Sequence, residues 1–335
     1  MVLYWGWLSL RYGGTCLPTI ANPLFPNGGW IGESKAAVMR LLGPFARGYF
    51  ANWMLAPGMT DSDTVSNRAD ETLKLAEIGG LKLPLVAKPD MGCRGAGVRV
   101  IRTPMDLETY YQNYPRNEPF ILQSLVDQEG EAGVFYVRRP SQPRGRIISL
   151  TLKYFPYVTG DGRSTLQELI ERDPRAGPRK HIYLPRHAHQ LDRVLSDGEP
   201  FRIAFAGSHS RGAIFRDGAQ FITEAMTDTF DAIAKDIQEF YFGRFDVRFS
   251  DIEDLQRGHG FTIVEVNGAG AESTHIWDRK TTLWTAYRTL MAQYKTMWEI
   301  GRDNLRRGYE PMKLGDLLAA NRREGELVTR YPITE

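Results

Sequence analysis

Arg244-Phe245-Asp246-Val247-Arg248 and Thr262-Ile263-Val264-Glu265-Val266-Asn267 are the two runs from which the rest of the chain can be read. Successive side chains of a strand point to opposite faces. Arg244, Asp246 and Arg248 therefore share one face, with Phe245 and Val247 on the other. Glu265 and Asn267 share a face in the same way, opposite Val264 and Val266. The connection over residues 250–260 suits two antiparallel neighbours. Asp246, Glu265 and Asn267 then converge as three oxygen donors beside Arg244. Hard cations such as Mg²⁺ take a few carboxylates and complete their shell with phosphate oxygens. The plain alternative is a salt-bridged solvent face. Gly268-Ala269-Gly270 weakens it, because glycines let backbone approach a ligand.

Two lysines upstream sit in similar company. Lys88 follows the apolar run Leu83-Pro84-Leu85-Val86-Ala87 and precedes a loop, residues 91–97, that holds Gly92, Gly95 and Gly97. The spacing is neither a P-loop nor a dinucleotide fingerprint. N–H groups of such a loop can cover anionic oxygens while the lysine supplies a point charge. A hairpin with a snorkelling lysine is the competing reading. Lys153 shares a strand face with Ser149 and Thr151, opposite Ile148, Leu150 and Leu152. Ten lysines stand against thirty-two arginines in this chain, so lysines set in apolar strands need a reason beyond charge. For Lys153 the alternative is an edge-strand gatekeeper.

Around these runs the pattern is mixed helix and strand. Ser34 can cap a helix over residues 35–42, and a second helix over 69–78 stops at Gly79-Gly80. Strands are expected over 83–89, 98–101 and 119–126, with a helix over 104–114. Residues 132–138 and 146–154 read as a hairpin. A capped helix follows over 164–170, then a strand over 201–205 and helices over 222–239 and 283–307. Residues 13–32 read as loop.

Taken in order, three pieces resemble the ATP-grasp superfamily of carboxylate–amine ligases. They are Pro84-Leu85-Val86-Ala87-Lys88-Pro89-Asp90 with its glycine loop, Gly243-Arg244-Phe245-Asp246-Val247, and Ile263-Val264-Glu265-Val266-Asn267-Gly268. The order is that of the D-alanine–D-alanine ligase branch. The stretch from Val158-Thr159-Gly160-Asp161-Gly162-Arg163 to residue 170 is also similar to a segment of cyanophycin-synthetase-type ligases. The resemblance covers about residues 81–280. It implies an α+β chain of ATP-grasp fold, two α+β subdomains clasping ATP, with a reduced N-terminal region. The implied boundaries are 1–80 for that region, 81–126 for the small lid subdomain, 127–310 for the C-terminal subdomain with the metal site, and 311–335 for a tail.

The resemblance also implies roles. Lys88 would hold the α- and β-phosphates beneath Gly92, Gly95 and Gly97. Gln123 and Leu125 would line the adenine, and Glu131 would meet the ribose. Lys153 would stand near the γ-phosphate, and Arg244 would steady the transferring phosphoryl group. Asp246, Glu265 and Asn267 match the family's magnesium ligands. The implied activity is ATP- and Mg²⁺-dependent joining of a carboxylate to an amine through an acyl phosphate, releasing ADP and phosphate. A kinase on the same fold, or a nucleotide-binding scaffold without chemistry, are the alternatives.

Most such ligases carry a substantial α/β domain ahead of the grasp. Here the run leading into Lys88 already starts at Leu81, and much of what precedes it reads as loop. The acceptor site for a small-molecule or peptide carboxylate and amine must be built from residues 20–40, the middle section, or a partner subunit of a homodimer. Asn22, Lys35, Arg202, His209, Arg211 and His275 are its candidates. His181, His187 and His189 come without a cysteine or a clear fourth ligand, so a zinc site is disfavoured.

Composition narrows the classes further. Forty-two basic against forty acidic residues leave +2, which excludes a broad electrostatic claim on nucleic acid. Two cysteines, Cys16 and Cys93, cannot build a disulfide framework, and a reducing cytoplasm is the expected home. No apolar run approaches the ~18 residues of a membrane span. The aromatic start, with Tyr4, Trp5 and Trp7, reads as a strand or helix docked on the core. Peripheral membrane contact through those rings is the alternative.

Overall fold

In the computed structural model, which describes residues 1–205, 207 and 212–334, every ladder between named strands is antiparallel. Strands β1 (Trp53–Ala56), β2 (Leu85–Pro89), β3 (Arg99–Ile101) and β4 (Phe120–Ser124) form one sheet in the order β1-β4-β2-β3. Strands β5 (Gly130–Val137), β6 (Arg146–Tyr154), β9 (Ile214–Asp217), β10 (Phe242–Phe249) and β11 (Phe261–Asn267) form a second, ordered β11-β10-β5-β6-β9. Between β6 and β9 the chain makes a small ribbon, β7 (Tyr157–Thr159) with β8 (Pro200–Arg202). The helices before β5 are α1 (Val2–Tyr12), α2 (Lys35–Arg40), α3 (Pro44–Arg47), α4 (Val65–Ile78) and α5 (Pro104–Asn113). Those after it are α6 (Leu166–Arg172), α7 (Lys180–Tyr183), α8 (Glu224–Lys235), α9 (Ile252–Gln256), α10 (Leu283–Arg306) and α11 (Leu314–Val328). The result is two α+β units around a cleft, as the resemblance implies.

Local signals explain most helix starts. Ser34 accepts from the Ala37 N–H at the head of α2, and Thr64, Thr223 and Thr282 cap α4, α8 and α10. Thr103 with Asp106, and Thr165 with Glu168, form full capping boxes. In the small unit, Tyr110 and Tyr111 of α5 meet Phe120 edge-on at 4.9 and 5.0 Å. β1 supplies β4 with its outer partner, so this sheet takes a strand, and α4 beside α5, from before residue 81.

The five-stranded sheet is covered on one face by α8, whose Phe230 packs 5.4 Å from Phe245. Burying each such ring contributes roughly 1.5–3 kcal/mol. The opposite face has two environments along its length. At one end Phe135 and Phe242 lie under α10, centred on the fully buried Trp298. The other end is left for the cleft. The aromatic N-terminus is helix α1: Leu8 is buried and Trp5 sits edge-on at 4.6 Å from Trp298. No helix among the described residues is long and apolar enough to cross a membrane.

Candidate active site

A cleft of about 780 Å³ separates the two sheets. Cross-strand rows tile the wall supplied by the larger sheet. Lys153, Glu131 and Arg248 are register neighbours on β6, β5 and β10, and Thr151, Gly133, Asp246 and Glu265 make the adjoining row into β11. Arg244 stands beside Asn267 in the next. Strand parity thus delivers Asp246, Glu265 and Asn267 to one wall, as read from the two runs.

The charges on this wall are interlocked. Arg244 donates to Asp246 from Nε at 2.8 Å and from a terminal nitrogen at 3.1 Å. Such a two-pronged, charge-assisted contact is among the stronger hydrogen-bond geometries. Lys153 Nζ lies 3.0 Å from both Asp246 Oδ1 and Glu131 Oε1. Arg248 reaches Glu131 Oε2 at 3.1 Å. Burial works against the Asp246 carboxylate, but Arg244 and Lys153 outweigh it and hold the carboxyl well below its usual range. Burial likewise pushes Lys153 down, and Asp246 and Glu131 more than offset it, so its pKa is raised. Gly133 makes this packing fit: a Cβ there would stand 2.9 Å from Arg244 Cδ.

The facing wall carries Lys88. Its Nζ donates to Gln123 Oε1 at 2.6 Å and across the cleft to the Val264 carbonyl at 2.8 Å. Here burial dominates and lowers the ammonium to about 8. Gln123 and Leu125 both line the cleft, although the Gln123 oxygen is engaged by Lys88. Gly92, Gly95 and Gly97 all have positive φ, which favours glycine at each. Gly92 and Gly95 line the cleft, whereas the Gly97 N–H is donated to Thr334 Oγ1 at 3.0 Å.

The third side comes from the chain's two ends. Residues 29–33 and Lys35 line the cleft. Lys35 lies 3.6 Å from Glu265 and donates to the Gly92 carbonyl at 2.9 Å. Glu33 has an enclosed Oε2 without a hydrogen-bond partner among the described residues. Burial pushes its carboxyl up to about 7, with Lys35 opposing. Asn321 and Glu324 of α11 also line the cleft, and Glu324 accepts from the Gly32 N–H at 3.0 Å. The glycine loop is held from this side: Tyr331 donates to the Met91 carbonyl at 2.6 Å, and Thr334 to the Gly95 carbonyl at 2.8 Å. Arg248 is legible in the sequence from its parity with Asp246. Glu33 falls within residues 20–40, the segment expected to help build the acceptor site, whereas Glu324 gives no local signal, since only the course of the chain's last helix brings it here.

Other candidates lie elsewhere. The Arg202 guanidinium stacks 3.4 Å over Phe155 and donates to the carbonyls of Ala204 and Phe205, so it stands behind the cleft lining, which Phe205 joins and Arg202 does not. His275 shares a hydrogen bond of 2.7 Å with Ser149, and burial lowers its pKa. Asn22 is a fully buried bracket, donating to the Gly28 and Phe242 carbonyls and accepting from the N–H groups of Tyr241 and Phe242. His209 and Arg211 lie outside the described residues. His187 contacts the Ile203 carbonyl at 3.2 Å. Among the described residues no group of three or more His, Cys, Asp and Glu could hold a metal. Two carboxylates and an amide oxygen from Asp246, Glu265 and Asn267 nevertheless fit a Mg²⁺ ion that arrives with phosphate oxygens.

No protein-family model and no curated protein matches the chain. Among solved structures, it is similar to the D-alanine–D-alanine ligase of Bacillus anthracis, at 14% identity and a TM-score of 0.40, over 82% of this chain and 67% of that one. The ATP-grasp ligase PsnB, complexed with minimal precursor, gives 14% and 0.39, over 78% and 60%. A bifunctional glutathione synthetase from Pasteurella multocida gives 12% and 0.37, over 78% and 35%. The chain thus spans between about a third and two thirds of these proteins' lengths.

Proposed function

We propose that the chain is an ATP-grasp ligase that couples ATP cleavage to formation of an amide bond between a carboxylate and an amine. The observation that carries this reading is the pair of buried lysines on opposing walls, Lys88 and Lys153, flanking the Arg244–Asp246 contact within one cleft. Such a surface suits a polyanion that reacts through charge redistribution. Phosphoryl transfer needs positioning and electrostatic stabilisation more than covalent help from protein.

In the proposed cycle a substrate carboxylate oxygen bonds to the γ-phosphorus of ATP, and the bond to ADP breaks. The amine nitrogen then bonds to the acyl carbon, phosphate leaves, and the nitrogen loses a proton. Asp246, Glu265 and Asn267 would hold Mg²⁺, which when bound neutralises charge on the phosphate oxygens. Lys88 grips the phosphates from the small sheet, and Lys153 and Arg244 face them from the large one. Displacing Asp246 from its cation partners frees those cations for the nucleotide. The glycine loop, with the strands behind it, covers the site and keeps water from the acyl phosphate.

The test is turnover with MgATP and paired amino acids or short peptides, following ADP and inorganic phosphate together. A ligase releases both in equal amounts only when both substrates are present. ADP release with phosphate retained on one substrate would instead indicate a kinase. Absence of ADP release and of nucleotide binding would overturn the reading.

A further inference from the structure

The seam between α1 and α10 is only half covered. Trp284, Tyr287, Met291, Tyr294 and Trp298 follow one another at spacings of three and four, which lines them along one helix face. Trp5 of α1 packs edge-on against Tyr294 at 5.7 Å and against Trp298 at 4.6 Å. Ahead of that contact the seam is bare, with Trp284 71% exposed. Helix α1 is apolar on its outer side as well: Leu3 and Leu10 are 91% and 87% exposed, with Trp7 between them. The two bare faces belong to packed helices, since Trp5 of α1 sits against Tyr294 and Trp298 of α10 while Trp7 stacks on Tyr4 at 5.5 Å.

Leu3, Trp7, Leu10, Trp284, Tyr287 and Met291 are all exposed. Apolar residues scattered singly over a surface are ordinary, but six such side chains on two helices packed together mark an interaction site. Charge identifies what covers it. Residues 1–12 and 279–298 contain no Asp or Glu but five basic residues, Arg11, Arg279, Lys280, Arg288 and Lys295, in a chain that is otherwise almost balanced. All five are exposed. Two acids flank these segments in sequence. Asp278 is buried and accepts from the Asp217 and Lys280 N–H groups. Glu299 pairs with Lys295 at 2.9 Å, and Glu272, near Tyr294, accepts from the Trp277 indole, so Arg11, Arg279, Lys280 and Arg288 outnumber the one remaining acid at the rim. Arg11 lies 5.4 Å over the Trp7 ring, so its charge sits at the edge of the apolar strip. A second copy would bring the same positive rim against this one. An anionic lipid leaflet brings the opposite charge, an apolar layer for Leu3 and Leu10, and headgroup depth for the tryptophans.

We propose that the outer face of α1 and the N-terminal half of α10 form a peripheral docking surface for an anionic membrane. The test is co-sedimentation of the full chain with vesicles of phosphatidylcholine alone and of phosphatidylcholine with about 30% phosphatidylglycerol. Binding is expected to the anionic vesicles only and to weaken as salt rises. Trp7→Ser with Leu10→Ser should abolish it, and both side chains are exposed enough to spare the fold, checked by circular dichroism. Reversing Lys280 and Arg288 to Glu leaves the apolar strip intact and should lower the partition coefficient about fivefold or more per residue. Equal binding to both vesicle types, or none at low salt, overturns the proposal. A wild-type dimer in sedimentation equilibrium that Trp7→Ser and Leu10→Ser convert to monomer would assign the surface to a second copy. None of these outcomes depends on the reaction performed in the cleft.

Discussion

Lys88 and Lys153 are both buried cations, yet their environments differ and so should their variants. Lys88 has neutral partners, the Gln123 amide oxygen and the Val264 carbonyl. Lys153 sits between two carboxylates. Lys88→Met is expected to weaken ATP binding, read as a raised KM. Lys153→Met should reduce kcat more than it changes KM, because its contact strengthens as the γ-phosphate is transferred. Unchanged kinetics in both variants would leave the two lysines as structural groups. The lowered pKa of Lys88, about 8, gives a pH signature. Phosphates favour its charged form, so ATP affinity should be flat below that pH and fall up to about tenfold per unit above it. Lys88→Arg should flatten the curve, since guanidinium stays charged. The stability consequence has the opposite sense. Between pH 8 and the ordinary lysine range the unfolded chain binds more protons, so this lysine's cost to stability is greatest below pH 8 and fades as pH rises.

At the scale of elements, strand β5 works through what it lacks. Gly133 faces the Arg244–Asp246 contact, and a Cβ there must displace the flexible Arg244 side chain. Gly133→Ala is therefore expected to cut turnover at least tenfold while changing stability by less than about 1 kcal/mol. Equal loss of both would mean the strand itself had been disturbed. The glycine loop gives a second case. Three hydrogen bonds from Tyr331 and Thr334 fasten it to the chain's end. Tyr331→Phe with Thr334→Val should speed amide exchange across residues 91–97 and raise the KM for ATP severalfold. Unaltered exchange there would show that Lys35 and Tyr110, which donate to the Gly92 and Gly97 carbonyls, hold the loop without them.

For the whole molecule, the cleft lies between two sheets that share packing: Ile121, Trp53 and Leu55 of the small sheet join the core of the large one, while α4 and α5 cover the small sheet's other face. A ligand gripping both walls should stabilise them together. With MgATP at 100 times its Kd, linkage gives about 2.7 kcal/mol, seen as one calorimetric transition moving upward. An unmoved transition would argue against nucleotide binding. Glu131→Gln tests the opposite direction. It leaves Lys153 and Arg248 buried with one carboxylate fewer. Breaking a buried pair in this way is expected to cost about 3–5 kcal/mol in the apo chain.

Strand parity and caps are local, and they suffice for much of this chain. Arg244, Asp246, Glu265 and Asn267 can be placed on one face from residue order alone, because a strand's alternation does not depend on what packs against it. The starts at Ser34 and Ser164-Thr165 are equally legible, since a cap acts within one turn. Element ends are less so. The helix expected to run to residue 239 stops at Lys235, where Asp236 instead accepts from the Ala46 N–H. Strand β1 and helix α11 escape the sequence pattern: β1 is four residues long and gains its identity only by pairing with β4. The same holds for the cleft's third side. Glu33 and Glu324 stand near opposite ends of the chain, with no pattern in either neighbourhood to bring them together. The hydrogen bonds of Arg202 to backbone carbonyls and of His275 to Ser149 are likewise set by folding, with no sign of them in residue order. Local order names which side chains share a face. Which faces then meet is a matter of long-range packing, and that is written only in the folded chain.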